Sequence, residues 1–542
     1  MSELSEILFK NIKDTKYYEE IYPKRNLPED AIVTRFAPSP TGFVHLGSLF
    51  ASLVASKVSE QTGGVFFLRI EDTDQKREIE NGVIGIIDSL NEFGIVADEG
   101  ATGENTEKGI YGPYKQSARK EIYQSFAKQL VGQGLAYPCF CTEEQLEETR
   151  KKQEEQKIRP GYYNVWTKCR NLNLEEIENK IANGEKYVIR LKSNGREDRK
   201  ARVSDIIKGK IEFPENDQDI VLLKSDGIPT YHFAHAVDDY LMRTTHVIRG
   251  DEWMSSLPIH IQLFEYLKFK LPKYAHISPI MKDEDGGKRK LSKRKDPEAA
   301  VTYYSEEGIP KEAVIEYLLN IANSSYEGWR KQNPNSAISE FKLELNKMNI
   351  SGALFDMVKL LDISKTVISK FNAEEVYKRV YEWAEKYDEE LKEMLDKEPD
   401  YAKKIFGIER GNAKPRKDIA KWKDIKYSIE YMYDEKYNPK YEFQHIKEAE
   451  DIKEILKKYL DVYNDNDDKD TWFNKIKDLS ESLGYARETK QFKEEPDKYK
   501  GHVGDVSMVL RVALTGRQNT PDMYEIMKIL GKENIEKRFN MI

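Results

Sequence analysis

Apolar residues change their spacing several times along this chain, and the changes divide it into stretches of different character. The apolar run Ala31-Ile-Val breaks at two prolines and enters a stretch where Leu46, Leu49, Phe50, Leu53 and Val54 recur at helical spacing. A β-like run, Val65-Phe-Phe-Leu-Arg-Ile70, and a helical pattern over 81–93 follow, which makes an α/β unit. Between about 114 and 215 the character shifts to a helix over 118–132, a charged stretch over 143–157 and short strands such as Tyr187-Val-Ile-Arg-Leu191. The α/β pattern resumes at Ile220-Val-Leu-Leu223, turns at Ser225-Asp-Gly227, and runs through a strand at 245–249 into a helix after Ser255. From Pro310 nearly everything has helical spacing, as over 312–321 and 374–395, with a polar loop at 464–469 and final helices after Thr520-Pro521. The pattern predicts an α/β domain split by an α+β insertion and followed by an all-α half. Residues 1–30, with Tyr17, Tyr18, Tyr22 and two prolines, read as an appended helix and linker without chemistry of their own.

Composition narrows the class. The 542 residues are 34% charged and 39% hydrophobic, a balance of folded globular domains rather than disorder. No apolar run approaches the roughly 20 residues of a membrane span, and the first residues carry no basic start or apolar core of a signal peptide. Three cysteines make no disulfide framework, so the cytoplasm is the expected compartment. A net charge of −8 argues against indiscriminate coating of nucleic acid but leaves room for a local patch. Residues 401–430 carry nine positive against four negative side chains, with Phe406, Trp422 and Tyr427 among them. That stretch is the candidate for phosphate contact.

The candidate chemistry lies in two separated segments. Arg35-Phe-Ala-Pro-Ser-Pro-Thr-Gly-Phe-Val-His45-Leu-Gly-Ser48 leads from a strand into a helix start, where free N–H groups and the dipole attract phosphate. His45 can donate to that phosphate, and Gly47 leaves room for a flat base. Lys290-Leu-Ser-Lys-Arg294, directly after Asp285-Gly-Gly287, has the charge and placement of a phosphate clamp. Together they indicate ATP chemistry at the α-phosphate.

These two segments resemble the paired ATP motifs of class I aminoacyl-tRNA synthetases. The wording around them narrows the likeness. Arg35 to Gly42, Arg69-Ile-Glu-Asp-Thr-Asp74, Leu222-Leu-Lys-Ser-Asp-Gly227, Val247-Ile-Arg-Gly-Asp-Glu-Trp253 and Leu510-Arg-Val-Ala-Leu-Thr-Gly516 resemble glutamyl-tRNA synthetases, in that family's order. The helical second half is similar to the bacterial type. The resemblance implies a Rossmann-like catalytic domain in two parts (31–113 and 216–300), an acceptor-stem insertion (114–215), a stem-contact helical domain (301–385) and a helical anticodon domain (386–542). It implies ATP, with Mg²⁺ on its phosphates, L-glutamate and tRNA(Glu) as partners, with tRNA(Gln) an open addition. A monomer without membrane association is expected, and activation of glutamate is expected to require bound tRNA.

Residue by residue, the resemblance assigns Arg35, Ala37, Ser39, Glu71, Tyr231, His235 and Arg249 to glutamate. His45, Gly47, Glu252, Trp253 and Lys293 go to ATP, and His45, Gly47, Lys290 and Lys293 to catalysis. Arginine suits carboxylate because it binds it bidentately, and Glu71 suits the ammonium. His235 departs from the asparagine that many members carry, and its charge varies near neutral pH. Outside this context Glu71 would read as a helix cap and Arg249 as a surface partner of Asp251. Cys139, Cys141 and Cys169 resemble a partial zinc knuckle. Asn171 is a poor fourth ligand and no histidine is near; Tyr162 or Tyr163 could complete the site, but phenolate is an uncommon ligand, so no metal is assigned.

Overall fold

The computed structural model describes residues 2–74, 77–284 and 286–542, which form two compact units. The Asp285 of the expected loop lies outside the described residues. The first unit comprises 1–303 with 315–356, and the second comprises 304–314 with 357–542.

Two short helices, α1 (Ser2–Leu8) and α2 (Thr15–Ile21), open the first unit, followed by strand β1 (Val33–Phe36) and helix α3 (Leu46–Glu60). Strand β2 (Val65–Leu68) pairs in parallel with β1, so Arg35 stands beside Phe67. Helix α4 (Gly82–Glu92) leads to β3 (Glu99–Ala101), parallel to β2, and β4 (Glu107–Lys108) closes that edge antiparallel. Tyr22 and Arg25 tie the segment before β1 to this edge. Arg25 forks onto Glu99 at 2.8 and 2.9 Å and lies over the Tyr111 ring, while the Tyr22 hydroxyl donates to Gly112.

Helix α5 (Lys120–Gly132) opens the inserted region, which continues through β5 (Ala136–Cys139), α6 (Glu143–Glu155), α7 (Leu174–Ala182) and β6 (Val188–Leu191). Strands β7 (Lys200–Asp205), β8 (Gly209–Pro214) and β9 (Val221–Leu223) then cross the boundary expected at 215 in both directions. β9 pairs with β6 of the insertion, whereas β7 joins the sheet of the following segment through Asp205 opposite Tyr274. That sheet is built on α8 (Tyr231–Leu241), β10 (His246–Gly250), α9 (Leu257–Tyr266) and β11 (Lys273–Ile277), with β10 and β11 parallel. Thr245 joins the two halves, its backbone N–H donating to the Val33 carbonyl at 3.0 Å. The hairpin of β12 (Met281–Glu284) and β13 (Gly287–Lys290) delivers the lysine-rich loop.

The second unit is helical around one apolar core that includes Trp383, Trp422, Tyr459 and Trp472. The pattern over 374–395 gives two helices, Ala373–Tyr387 and Glu389–Lys397, not one. Asp388 leaves helical geometry and its carboxylate caps Leu391 N, an N-cap preference that overrides continuing apolar spacing. The basic stretch 401–430 is also largely compensated. Lys403 pairs with Glu374, Lys421 and Lys423 with Glu307, and Lys426 with Glu390, while Arg410 is spent on the carbonyls of Ile368, Phe371 and Phe406. Phe406 and Trp422 belong to the core, and only Tyr427 of the three aromatics is exposed, under the Arg517 guanidinium.

Candidate functional site

A cavity of about 690 Å³ opens where β1 meets α3, at the carboxyl ends of β1 and β10. This is where an open α/β sheet leaves a crevice between its halves. Twelve of the thirteen assigned residues line it, namely Arg35, Ala37, Ser39, His45, Gly47, Glu71, Tyr231, Arg249, Glu252, Trp253, Lys290 and Lys293.

His45 is the N-cap of α3. Its Nδ1 accepts from Ser48 N at 3.1 Å, which leaves the proton on Nε2, 3.0 Å from the Ser48 hydroxyl. Burial, helped by Lys293 and Lys290, pulls its pKa down to about 4, so the ring is neutral at physiological pH. A Cβ on Gly47 would come within 3.1 Å of that ring, so the glycine permits the cap as well as open space.

Beneath the cavity lies a buried charge network that sequence reasoning missed. Asp239 accepts from Arg35 Nε at 3.2 Å and from Arg69 Nη1 at 2.6 Å, and Arg69 Nη2 donates to Glu71 Oε1 at 3.0 Å. Asp238 takes Arg119, Gln116 and Tyr123 at 2.7, 2.9 and 2.8 Å. Burial alone would raise the Asp239 carboxyl, but Arg35 and Arg69 hold it well below its usual range. The helical spacing carried a signal, since Asp238 follows Ala234 by one turn on the face that α8 buries. Glu71 is thus no helix cap. Burial pushes its carboxyl up against the pull of Arg69 and Arg35.

His235 is not part of the wall. It is fully buried, with Nδ1 3.0 Å from Asp239 Oδ2 and its ring 4.3 Å from that of His260. One turn past Tyr231, the residue of α8 that faces the cavity, the imidazole lies stacked behind that ring, and burial lowers its pKa to about 3. The expected contact with glutamate is therefore corrected to a supporting place behind the wall.

Arg249 is buried and has no carboxylate partner among the described residues. Its Nε donates to His276 Nε2 at 3.0 Å, Nη1 reaches the Tyr231 hydroxyl at 3.4 Å, and Nη2 approaches His260 Nδ1 at 3.3 Å and the Trp253 carbonyl at 3.4 Å. Asp251, its plain alternative partner, binds Lys208 instead at 3.2 Å. A buried guanidinium surrounded only by neutral acceptors is a prepared anion site.

The lysine loop is folded back on Asp296, which accepts from Arg289 at 2.6 and 2.8 Å and from Ser292 N at 2.9 Å. Hydrogen bonding from Arg289 holds that carboxyl far below its usual range. Lys290 Nζ lies 3.4 Å from Glu252 Oε2, and Lys293 donates to the Phe43 carbonyl across the cavity mouth. Burial lowers the Lys293 pKa. Neither Arg289 nor Asp296 was singled out in the sequence, because a loop that closes on itself has no periodicity.

The three cysteines, to which no metal was assigned, come together in the fold. The ligand atoms of Cys139, Cys141 and Cys169 all lie within 4.8 Å of one another, with Cys141 and Cys169 3.7 Å apart. The Tyr162 hydroxyl stands 3.4 Å from the Cys139 sulfur and 3.3 Å from the Cys141 sulfur. Two sulfurs at about 2.3 Å from a tetrahedral zinc are separated by about 3.8 Å. The Tyr162 hydroxyl is the oxygen that the fold brings nearest to the trio.

Two family models match the chain. One describes the catalytic domain of class I tRNA synthetases (E and Q) and covers residues 31–383; the other, an anticodon binding domain, covers 375–542. A glutamate–tRNA ligase of Clostridium perfringens (strain SM101 / Type A) is 52% identical over 541 residues, 99% of this chain and 98% of its own. One of Acetivibrio thermocellus is 49% identical over 542 residues, 100% and 99% of the two chains. Among solved structures, a glutamate tRNA ligase from Elizabethkingia meningosepticum in complex with its amino acid superposes with a TM-score of 0.75 at 28% identity. That match covers 94% of this chain and 99% of the other.

Proposed function

The chain belongs to the class I tRNA synthetases of the E and Q type, and from that membership and its cavity we infer that it is a glutamate–tRNA ligase. The observation that carries the choice of amino acid is Arg249, a buried cation with no carboxylate partner among the described residues, in one cavity with Arg35 and Glu71. Glutamate needs both signs of charge. Arg249 and Arg35 supply cations for its carboxylates, Glu71 takes the ammonium, and Tyr231, Ser39 and the backbone at Ala37 add polar contacts.

ATP enters as its Mg²⁺ complex, whose ion is carried by phosphate and water rather than by a protein cage. Glu252 and Trp253 bracket its ribose and adenine, Gly47 lets the base approach, and the neutral His45 donates from Nε2 to phosphate. A glutamate carboxylate oxygen attacks the α-phosphorus, the bond to the β-phosphate bridge breaks, and diphosphate leaves. No side chain is needed as nucleophile. Lys290 and Lys293 meet the charge that builds on the phosphates, so catalysis rests on alignment and electrostatics. The terminal adenosine hydroxyl of the tRNA then attacks the glutamyl carbonyl, and AMP leaves.

The inserted region is assigned to the acceptor end and the helical unit to the stem and anticodon. Cys139, Cys141, Cys169 and Tyr162 are the set that would hold a zinc ion, which there would staple the cysteine segment. Among the described residues no helix is long and apolar enough to cross a membrane. A cytoplasmic monomer is the accompanying reading. The test is incubation with ATP, labelled glutamate and either purified tRNA(Glu) or tRNA(Gln). Label esterified to tRNA(Glu) in step with release of AMP and diphosphate supports the assignment. Its absence refutes it, and the second arm decides whether tRNA(Gln) is also charged.

A further inference from the structure

Three neighbouring strands bring a row of side chains to the back of the cavity. The parallel register sets Arg249 of β10 beside His276 of β11, and Tyr274, two residues before His276, beside Asp205 of β7. Asp205 Oδ2 lies 2.7 Å from His276 Nδ1 and also accepts from the His276 backbone N–H at 3.1 Å. Its other oxygen accepts from Ile207 N and Lys208 N at 2.9 and 2.8 Å, which fixes the carboxylate. With a carboxylate at Nδ1, the ring proton belongs there, and Nε2 is left as a lone pair. That lone pair lies 3.0 Å from Arg249 Nε. Both members of the pair are buried, and neither lines the cavity.

We propose that Asp205 and His276 form a positioning relay that aims the Arg249 guanidinium at the substrate carboxylate while leaving its charge uncompensated. A carboxylate in direct contact would hold the arginine equally still but would neutralise the cation that glutamate must meet. An imidazole between the two passes on the orientation and keeps the negative charge one ring away. It also leaves Nη1 and Nη2 with only longer, neutral contacts, at 3.3–3.4 Å, which a carboxylate can displace. His276 is thus a positioning residue and touches no substrate. The inference rests on the reading of Arg249 as a glutamate ligand.

The test is steady-state charging of tRNA(Glu) with the wild type, His276→Leu, His276→Gln, Arg249→Ala and the double variant His276→Leu/Arg249→Ala. Leucine removes the acceptor, whereas glutamine can place an amide oxygen near Nε2. The expected result is a KM for glutamate raised tenfold or more by leucine and less than threefold by glutamine, with the KM for ATP within twofold of wild type in both. On the Arg249→Ala background the leucine change is expected to add nothing, as for residues acting in series. Should the leucine variant not fold, Asp205→Asn replaces it with the same expectation, because an asparagine amide no longer fixes the proton on Nδ1. An unchanged KM for glutamate in the leucine variant, with a raised one in Arg249→Ala, would overturn the relay alone. So would equal losses with leucine and glutamine. An unchanged KM in Arg249→Ala would overturn both the relay and the reading beneath it.

Discussion

At the scale of single residues, the site works by withholding compensation where substrate will supply it. Arg35 and Arg69 share the Asp239 carboxylate, but among the described residues Arg249 is held by imidazoles, a phenol and a carbonyl. Glu71 shares Arg69 and has its carboxyl pushed up by burial, so an arriving ammonium meets a base that gains from it. Glu71→Gln is expected to raise the KM for glutamate by about ten- to a hundredfold, the usual worth of a hydrogen bond to a charged group. Competition by unlabelled glutamate in the charging reaction reads that shift. Lys293 belongs to a different moment of the reaction. Its loss is expected to slow adenylate formation by a factor of hundreds while ATP binding changes little, since such a donor is worth about 3–4 kcal/mol mainly in the transition state. Pre-steady-state kinetics with an unchanged rate in Lys293→Ala would remove the assignment.

At the scale of elements, much of the frame was legible because strand and helix have different periods. The α3 spacing, the turn into it, and the β10–α9 step all lie where the apolar pattern put them, within a residue or two at the ends. What hid was whatever depends on partners far apart in the chain. The crossing of β7 and β9 between sheets is a matter of pairing, which one strand's sequence does not encode, whereas the break at Asp388 is a local cap masked by an unbroken apolar spacing. The same holds for His235, whose motif place suggested the wall while the neighbours Asp239 and His260 take it inside. For the cysteines the sequence left Tyr162 and Tyr163 open, and the fold brings Tyr162 to the trio. One zinc per purified chain is expected, lost when Cys139 and Cys141 are replaced together by serine. Elemental analysis finding none in protein made with zinc present would restore the reading of a packed, metal-free trio.

At the scale of the whole molecule, burial of histidines sets how stability responds to acid. His45, His232 and His246 are brought down to about 4 and His235 to about 3, in each case chiefly by burial. Unfolded, they titrate near 6.5, so between about 6.5 and 4 the unfolded chain binds more protons than the native one. Stability from these groups is therefore full above 6.5 and declines as pH falls through that window. A melting temperature level from pH 7 to 8 and dropping steadily below 6.5 is the expected profile, measured by calorimetry at constant ionic strength. Resemblance adds a second expectation, that exchange of diphosphate into ATP with glutamate present requires tRNA(Glu). A ligand can only redistribute states it binds unequally, so the RNA must favour the productive ATP pose. Brisk exchange without RNA would contradict it.

The central claim is that this cavity selects glutamate by an uncompensated Arg249 set against Arg35 and Glu71. The most direct measurement is charging of tRNA(Glu) with glutamate, glutamine and aspartate offered separately, at equal concentrations and with ATP. Esterification of glutamate alone is expected. Glutamine lacks the side-chain charge that a buried cation requires, and the two carboxylates of aspartate stand one methylene closer together than those of glutamate. Charging with glutamine at a rate comparable to glutamate, or no charging with glutamate at all, would contradict it.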